Sequence, residues 1–296
     1  MIQARSLTKK YDDFTALDAV SFTFPDAGIL GVIGHNGAGK TTLLKLVAGL
    51  VAPTSGELEV NGIDVVRDPA ALKATLGYLP EESRLYETMT AENYLAFFGE
   101  IYGLPKDEIA VRTRQLFTAL SLETGGKKLG EFSKGMKRKA AIARSLIHDP
   151  AFLVYDEPTS GLDPMTSRFI AGYLKDLKNS GKTIVLSAHN LYQVEAICDR
   201  VMILRRGKIV ADGTMAELRE QFGSITYTVW FSAPDPARID RGKVPYREDE
   251  AGLACDAPDM ETLNGISAAI AAAGGRVDRI ESRYPSLEEM LVAIGK

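Results

Sequence analysis

Two short segments carry residues whose types and spacing suit work on a polyphosphate. The first is Gly34-His35-Asn36-Gly37-Ala38-Gly39-Lys40-Thr41, followed by Thr42. Its glycines allow the loop to wrap an oxyanion with backbone N–H groups, because a Cβ would bar both the dihedrals and the approach. Lys40 is spaced to reach β- and γ-phosphates, and the Thr41 hydroxyl to ligate Mg²⁺. The second is Phe152-Leu153-Val154-Tyr155-Asp156-Glu157, an apolar run ending in two carboxylates. Asp156 can hold Mg²⁺, usually through water. Glu157, one residue on, can orient and deprotonate an attacking water.

Both segments need elements to position them. The apolar run Gly28–Ile33 reads as a strand buried on both faces, and Thr41–Gly49 as the helix after the loop. That helix start adds partial positive charge where a phosphate would sit. Residues 2–25 read as short strands, and Glu57–Val60 before Asn61-Gly62 as a hairpin. From 84 to 150 the texture turns helical. Thr90 caps one helix, Lys106–Leu120 forms another, and Ser133 opens a third that runs to His148. Strand signals return at Phe152–Asp156 and Thr183–Ala188, with a helix near Met165–Asn179 between them and a hairpin turning at Arg206-Gly207. The expected fold is α/β, a parallel sheet with an antiparallel β subdomain and a helical insert. Residues 224–296 read as a small α+β appendage, with strands at Ile225–Phe231 and Arg276–Glu281 and an S-x-x-E capping box at Ser286 and Glu289.

Composition narrows the classes. The chain has 296 residues, 45% apolar and 25% charged, which excludes a disordered or collagenous protein. Thirty-five basic residues against 39 acidic ones leave a net charge of −4 and no electrostatic case for coating nucleic acid. Cys198 and Cys255 make no metal-ligand spacing and read as reduced thiols of a cytosolic protein. No apolar run approaches the ~20 residues of a membrane helix, and no secretory leader is visible.

Further motifs follow in order. Gly77-Tyr78-Leu79-Pro80-Glu81 comes after the loop, Phe132-Ser133-Lys134-Gly135-Met136 precedes the acidic strand, and Ser160-Gly161-Leu162-Asp163 and Ser187-Ala188-His189 come after it. Tyr11 stands upstream. This ordered set resembles the ATP-binding subunit of an ABC transporter over residues 2–222, and so implies the P-loop NTPase core of an ABC cassette. The resemblance makes these segments the Q-loop, signature, D-loop, switch histidine and the aromatic residue that stacks on adenine, although Phe14 is close to Tyr11 and either ring can serve the core. It implies ATP and Mg²⁺ as ligands. It also implies a head-to-tail cassette dimer in which each ATP lies between one phosphate loop and the other copy's signature. Ser133 and the Gly135 N–H would then point at a γ-phosphate, His189 would hold the Glu157–water geometry, and Asp163 would act across the dimer.

Two departures stand out. Glu81 replaces the family's usual Gln; it can still bind Mg²⁺ or water, with added negative charge. The signature lacks its first Gly and its Gln, so Lys134 either lies near phosphate or in solvent. Lacking a span, the chain is expected to work on the cytoplasmic face of the cell membrane through a separate integral permease subunit. The resemblance puts its docking groove between the Q-loop and the helical insert, a region that includes Leu85, Tyr86, Leu95, Phe97, Phe98, Ile101 and Tyr102, most of them core of the insert and a minority partner-facing. Residues 75–104 and Arg283–Met290 look most like cassettes of bacterial export systems. The alternatives are a soluble cassette ATPase of ribosomes or DNA and a regulatory module without turnover. A single phosphate loop and the absence of a heptad tract or basic patch weigh against the former. Glu157 and His189 weigh against the latter, while Glu81 and Met136 keep it open.

Overall fold

The computed structural model describes residues 1–222, 225–249 and 252–295. The chain divides into two compact units, Met1–Met215 and Ala216–Lys296. The boundary expected at 223–224 lies outside the described residues.

The first unit opens with an antiparallel hairpin, β1 (Ile2–Tyr11) and β2 (Phe14–Phe24). β3 (Ile29–Ile33) follows, buried throughout, and leads through the glycine loop into α1 (Lys40–Val47). β4 (Ser55–Val60) and β5 (Ile63–Asp64) pair across Asn61-Gly62, whose φ of 51° and 76° suit a type I′ turn. After α2 (Pro69–Thr75) and β6 (Leu76–Leu79) come the helices of the insert. These are α3 (Ala91–Ile101), α4 (Lys106–Ala119) and α5 (Lys134–Leu146). The unit continues with β7 (Phe152–Tyr155), α6 (Pro164–Asn179), β8 (Thr183–Ser187), α7 (Leu191–Ile197), β9 (Arg200–Arg205) and β10 (Lys208–Gly213).

Its main sheet has the order β10-β9-β3-β8-β7-β6, parallel except for β10. The unbroken burial of β3, β7 and β8, apolar but for Thr183 and Ser187 at the two ends of β8, is what a sheet covered on both faces requires. A second, antiparallel sheet has the order β2-β1-β4-β5. Ile2, Leu7 and Leu17 of that sheet share one core with Leu43 and Leu46 of α1 and with Phe152 and Val154 of β7. The phosphate loop is therefore anchored from both sheets.

α8 (Met215–Phe222) begins at the division between the units. Beyond it lie β11 (Thr226–Ser232), β12 (Arg247–Asp249), β13 (Gly252–Ala257), α9 (Met260–Ala272), β14 (Arg276–Arg283) and α10 (Leu287–Gly295). The sheet order is β12-β13-β11-β14, all antiparallel. Val229, Phe231, Leu253 and Cys255 pack against Leu263, Ile266 and Ile270 of α9.

Packing is tight where β6 meets α5. A Cβ on Gly77 would lie 2.4 Å from the Ser145 carbonyl oxygen and 2.6 Å from Leu153 Cδ2. Gly77→Ala should therefore destabilise the first unit by about 1–3 kcal/mol, read as a fall of several degrees in its thermal unfolding midpoint.

Candidate functional site

Parallel strand order brings the ends of β3, β8 and β7 side by side, and the chemistry-bearing residues sit at those ends. The loop after β3 is conformationally demanding. Gly39 has φ 107°, and a Cβ there would lie 2.6 Å from the Ala16 carbonyl oxygen. Gly37, at φ 78°, has open space where its Cβ would be, so there it is the dihedral and not crowding that favours glycine. Asp68, Thr90, Ser133, Asp163, Asn190 and Asp259 cap α2, α3, α5, α6, α7 and α9 through their side chains. α1 instead starts at Gly39 with no side-chain cap and no acidic residue in its first turn. Its leading N–H groups are left for an anion.

Lys40 is buried and folds back along the loop. Its Nζ donates to the carbonyls of Gly34 at 2.7 Å and His35 at 3.3 Å. Burial lowers its pKa, while Glu157, Asp156 and Glu81 pull the other way.

The two carboxylates after β7 are buried as well, Asp156 at 2% and Glu157 at 4% exposure. Ser187, at the end of β8, contacts both residues, one through its carboxylate and the other through its backbone. Its hydroxyl donates to Asp156 Oδ1 at 2.5 Å and accepts from the Glu157 N–H at 2.9 Å. Glu157 holds a left-handed backbone, φ 49°, which turns its side chain out of the strand direction at a modest conformational cost. The His189 backbone N–H donates to Glu157 Oε2 at 3.1 Å. Glu157 Oε1 lies 3.1 Å from His189 Nε2 but out of line, and this buried oxygen accepts no hydrogen bond. Burial raises the Glu157 pKa; His189 and Lys40 offset part of the rise.

A cleft of about 400 Å³ joins these groups, lined by Phe14, Ala16, Asn36, Gly37, Ala38, Gly39, Lys40, Thr41, Thr42, Glu81, Glu157 and His189. Gly34 and His35 hold Lys40 from the side, and Asp156 lies beneath. Tyr11 does not line the cleft; it is exposed, with Lys9 Nζ 4.9 Å from its ring centroid. The aromatic lining is Phe14, which stands directly opposite Tyr11 in the β1–β2 register. Their pairing across the Asp12-Asp13 turn was the only sequence signal that could weigh one ring against the other. Ser187 is visible beside His189, but only the sheet register shows that it ties the Asp156 carboxylate to the Glu157 backbone.

Ser133, Gly135 and Asp163 are not part of this cleft. They form a second group, on facing helix starts. Ser133 Oγ accepts from the Met136 N–H at 3.2 Å, and Asp163 accepts from the Thr166 N–H at 2.9 Å; the Thr166 side chain and then its N–H hold the Asp163 carboxyl below the usual range. Gly135 abuts Thr166, where a Cβ would come within 3.2 Å. Glu81 connects the two regions. It lines the first cleft and also one of about 550 Å³ with Lys134, Lys137, Arg138 and Ser160. Arg138 of α5, itself buried, donates to the carbonyls of Pro80 at 3.0 Å and Glu81 at 2.6 Å.

Ser187→Ala should leave a buried carboxylate oxygen and a buried N–H unpaired. A loss of about 2–3 kcal/mol in unfolding free energy is expected, whereas Ser187→Thr should recover part of it.

Comparison with known proteins agrees with this geometry. A family model described as ABC transporter matches residues 17–160. The chain is 38% identical over 226 residues to the ABC transporter ATP-binding protein NatA of Bacillus subtilis, covering 74% of this chain and 92% of that one. It is 31% identical over 291 residues to the daunorubicin resistance ATP-binding protein DrrA3 of Streptomyces coeruleorubidus, covering 96% and 92%. Among solved structures, the dimeric bacterial ABC transporter cassette MJ0796 matches with a TM-score of 0.68 and 25% identity over 73% of this chain and 99% of that one. A phosphate loop feeding an uncapped helix, buried carboxylates on the adjoining strand and this extent of identity place the chain in the ABC transporter family, as an ATP-binding subunit that hydrolyses ATP.

Proposed function

We propose that the cleft at the ends of β3, β7 and β8 holds ATP, with Glu157 as the base that activates the attacking water. The observation that carries this is Glu157 Oε1, a buried carboxylate oxygen that accepts no hydrogen bond beside Lys40 and the open start of α1. Amides of residues 36–42 bind the polyphosphate, and Lys40 neutralises its charge. His189 lies close enough to Glu157 to fix the direction in which a water is held. Phe14 is the ring available to the base. The donor set around Lys40 is hard oxygen, the Thr41 hydroxyl with Asp156 and Glu81, which suits Mg²⁺ in company with phosphate and water. When bound, that ion neutralises charge on the transferring phosphoryl group.

Ser133, Gly135 and Asp163 stand apart from their own chain's cleft, which supports a head-to-tail pair in which each copy completes the other's site. The relative MJ0796 is dimeric. ATP binding then shifts the pair toward its closed form by its differential affinity for that form. No helix among the described residues is long and apolar enough to cross a membrane. The membrane step falls to a separate permease docked on the cytoplasmic side. Tyr86, Phe97 and Ile101, 49%, 40% and 62% exposed, offer it an apolar surface on and before α3. A relative named for daunorubicin resistance supports export as the direction.

Glu157→Gln should retain ATP binding, lose turnover by about 10²-fold or more, and accumulate an ATP-bound dimer in size-exclusion chromatography. Undiminished hydrolysis would remove Glu157 from the base role.

A pH profile gives a second check. Glu157 acts deprotonated and its pKa is raised, so wild-type turnover should fall on acidification above the ordinary carboxylate range near ~4.3. The same shift destabilises the nucleotide-free fold once Glu157 ionises. Glu157→Gln should therefore be the more stable protein at neutral pH, and the difference should vanish below the ordinary glutamate pKa.

A further inference from the structure

β14 is an outer strand of the C-terminal sheet, with β11 on its inner side. Among the described residues no strand pairs with its outer edge. Every residue of β14 is exposed except the half-buried Val277, and the apolar Ile280 is 47% exposed. An edge of this length is a template for another strand.

Its sequence Arg276-Val277-Asp278-Arg279-Ile280-Glu281 complements itself read backwards. In an antiparallel pair with a two-fold axis between Asp278 and Arg279, Arg276 meets Glu281, Val277 meets Ile280, and Asp278 meets Arg279. The faces agree as well. Val277 lies opposite Phe231 and Ile280 opposite Val229, both of which point to α9. Arg276 lies opposite Ser232 and Glu281 opposite Thr228, on the other face. A regular strand would place residues 277 and 280 on opposite faces. The bulge between Trp230 and Phe231 adds Asp278 as the extra residue and brings the two apolar side chains together. Sliding the pair by one residue sets Asp278 on Asp278 or Arg279 on Arg279, so like charges oppose both neighbouring registers.

We propose that β14 pairs with β14 of a second copy of this chain, joining two C-terminal sheets across a two-fold axis. Within one chain Arg276 pairs with Asp278 at 3.0 Å and Arg279 with Glu281 at 3.3 Å. These pairs are solvent-exposed, hold little stabilisation, and can exchange for partners across the axis. A contact of this size is small for a stable dimer by itself. Combined with the pairing of cassettes, it raises the effective concentration of one copy at the other. It requires no nucleotide and does not depend on the reading of the ATP site.

The test uses the full chain without nucleotide, so ATP-driven pairing contributes nothing. Chains carrying Val277→Cys and Ile280→Cys are mixed and oxidised; the native Cys198 and Cys255 are buried. A disulfide-linked dimer is expected from the mixture and from neither variant alone. By sedimentation, Arg276→Glu should weaken self-association about tenfold, and Arg276→Glu combined with Glu281→Arg should restore it. Two results overturn the proposal: no mixed disulfide from variants that unfold at the wild-type temperature, or self-linkage of Ile280→Cys alone. If a cysteine variant is destabilised, the charge pair decides, and failure of the double exchange to restore association is then the overturning result.

Discussion

Two carboxylates buried at the end of one strand set the terms for the first unit. A charge removed from water is stable only where fixed dipoles and opposite charge replace the solvent. Asp156 and Glu157 obtain this from the neighbouring strand ends. Val32 stands opposite Ser187 in the β3–β8 register, and Tyr155 opposite Leu186 in the β7–β8 register. Moving β8 by one residue would carry the Ser187 hydroxyl to the other face of the sheet and leave the Asp156 carboxylate and the Glu157 N–H without it. Sheet register and site chemistry are thus one constraint, and the buried strands β3, β7 and β8 hold it.

α5 transmits the second constraint. Its first residues carry the Ser133 corner, and Arg138, one turn in, grips the carbonyls of Pro80 and Glu81. Further along, Arg144 donates to the Tyr78 carbonyl at 3.1 Å and to the Tyr94 hydroxyl at 3.3 Å, reaching α3. One helix therefore fixes the Ser133 corner, the segment bearing Glu81 and the aromatic face of the insert. Arg138 is buried with those carbonyls as its acceptors, so the Glu81 segment cannot move far without either α5 following or a guanidinium losing its partners.

Local rules made much of this legible. The glycine spacing and the apolar strand before it located the loop. Thr90 and Ser133 cap their helices as their positions suggested, Asn61-Gly62 closes a hairpin, and Ser286 with Glu289 forms the capping box. The unreadable parts depend on contacts between distant segments. The choice between Tyr11 and Phe14 turns on which ring faces the loop across a tight turn. Ser187 looks like any strand-end serine until β7 is placed beside β8. The stretch 232–260, rich in Pro, Asp and Gly, hides β12 and β13, short strands whose stability comes from β11 and α9 and not from their own propensity.

Glu81 gives the cleft its particular charge. Three carboxylates, Asp156, Glu157 and Glu81, act on Lys40, and each favours its protonated form against the lowering effect of burial. Against them, Arg138 lies near the same three groups. The balance differs from that of a site with a neutral glutamine at residue 81, because the added charge is on an exposed residue that lines the cleft. An uncomplexed polyphosphate entering such a cleft meets repulsion from its rim before it reaches the amides, whereas a magnesium complex carries counter-charge with it. On the proposed reading, Glu81 makes selection of the metal-bound nucleotide a matter of entry as much as of chemistry.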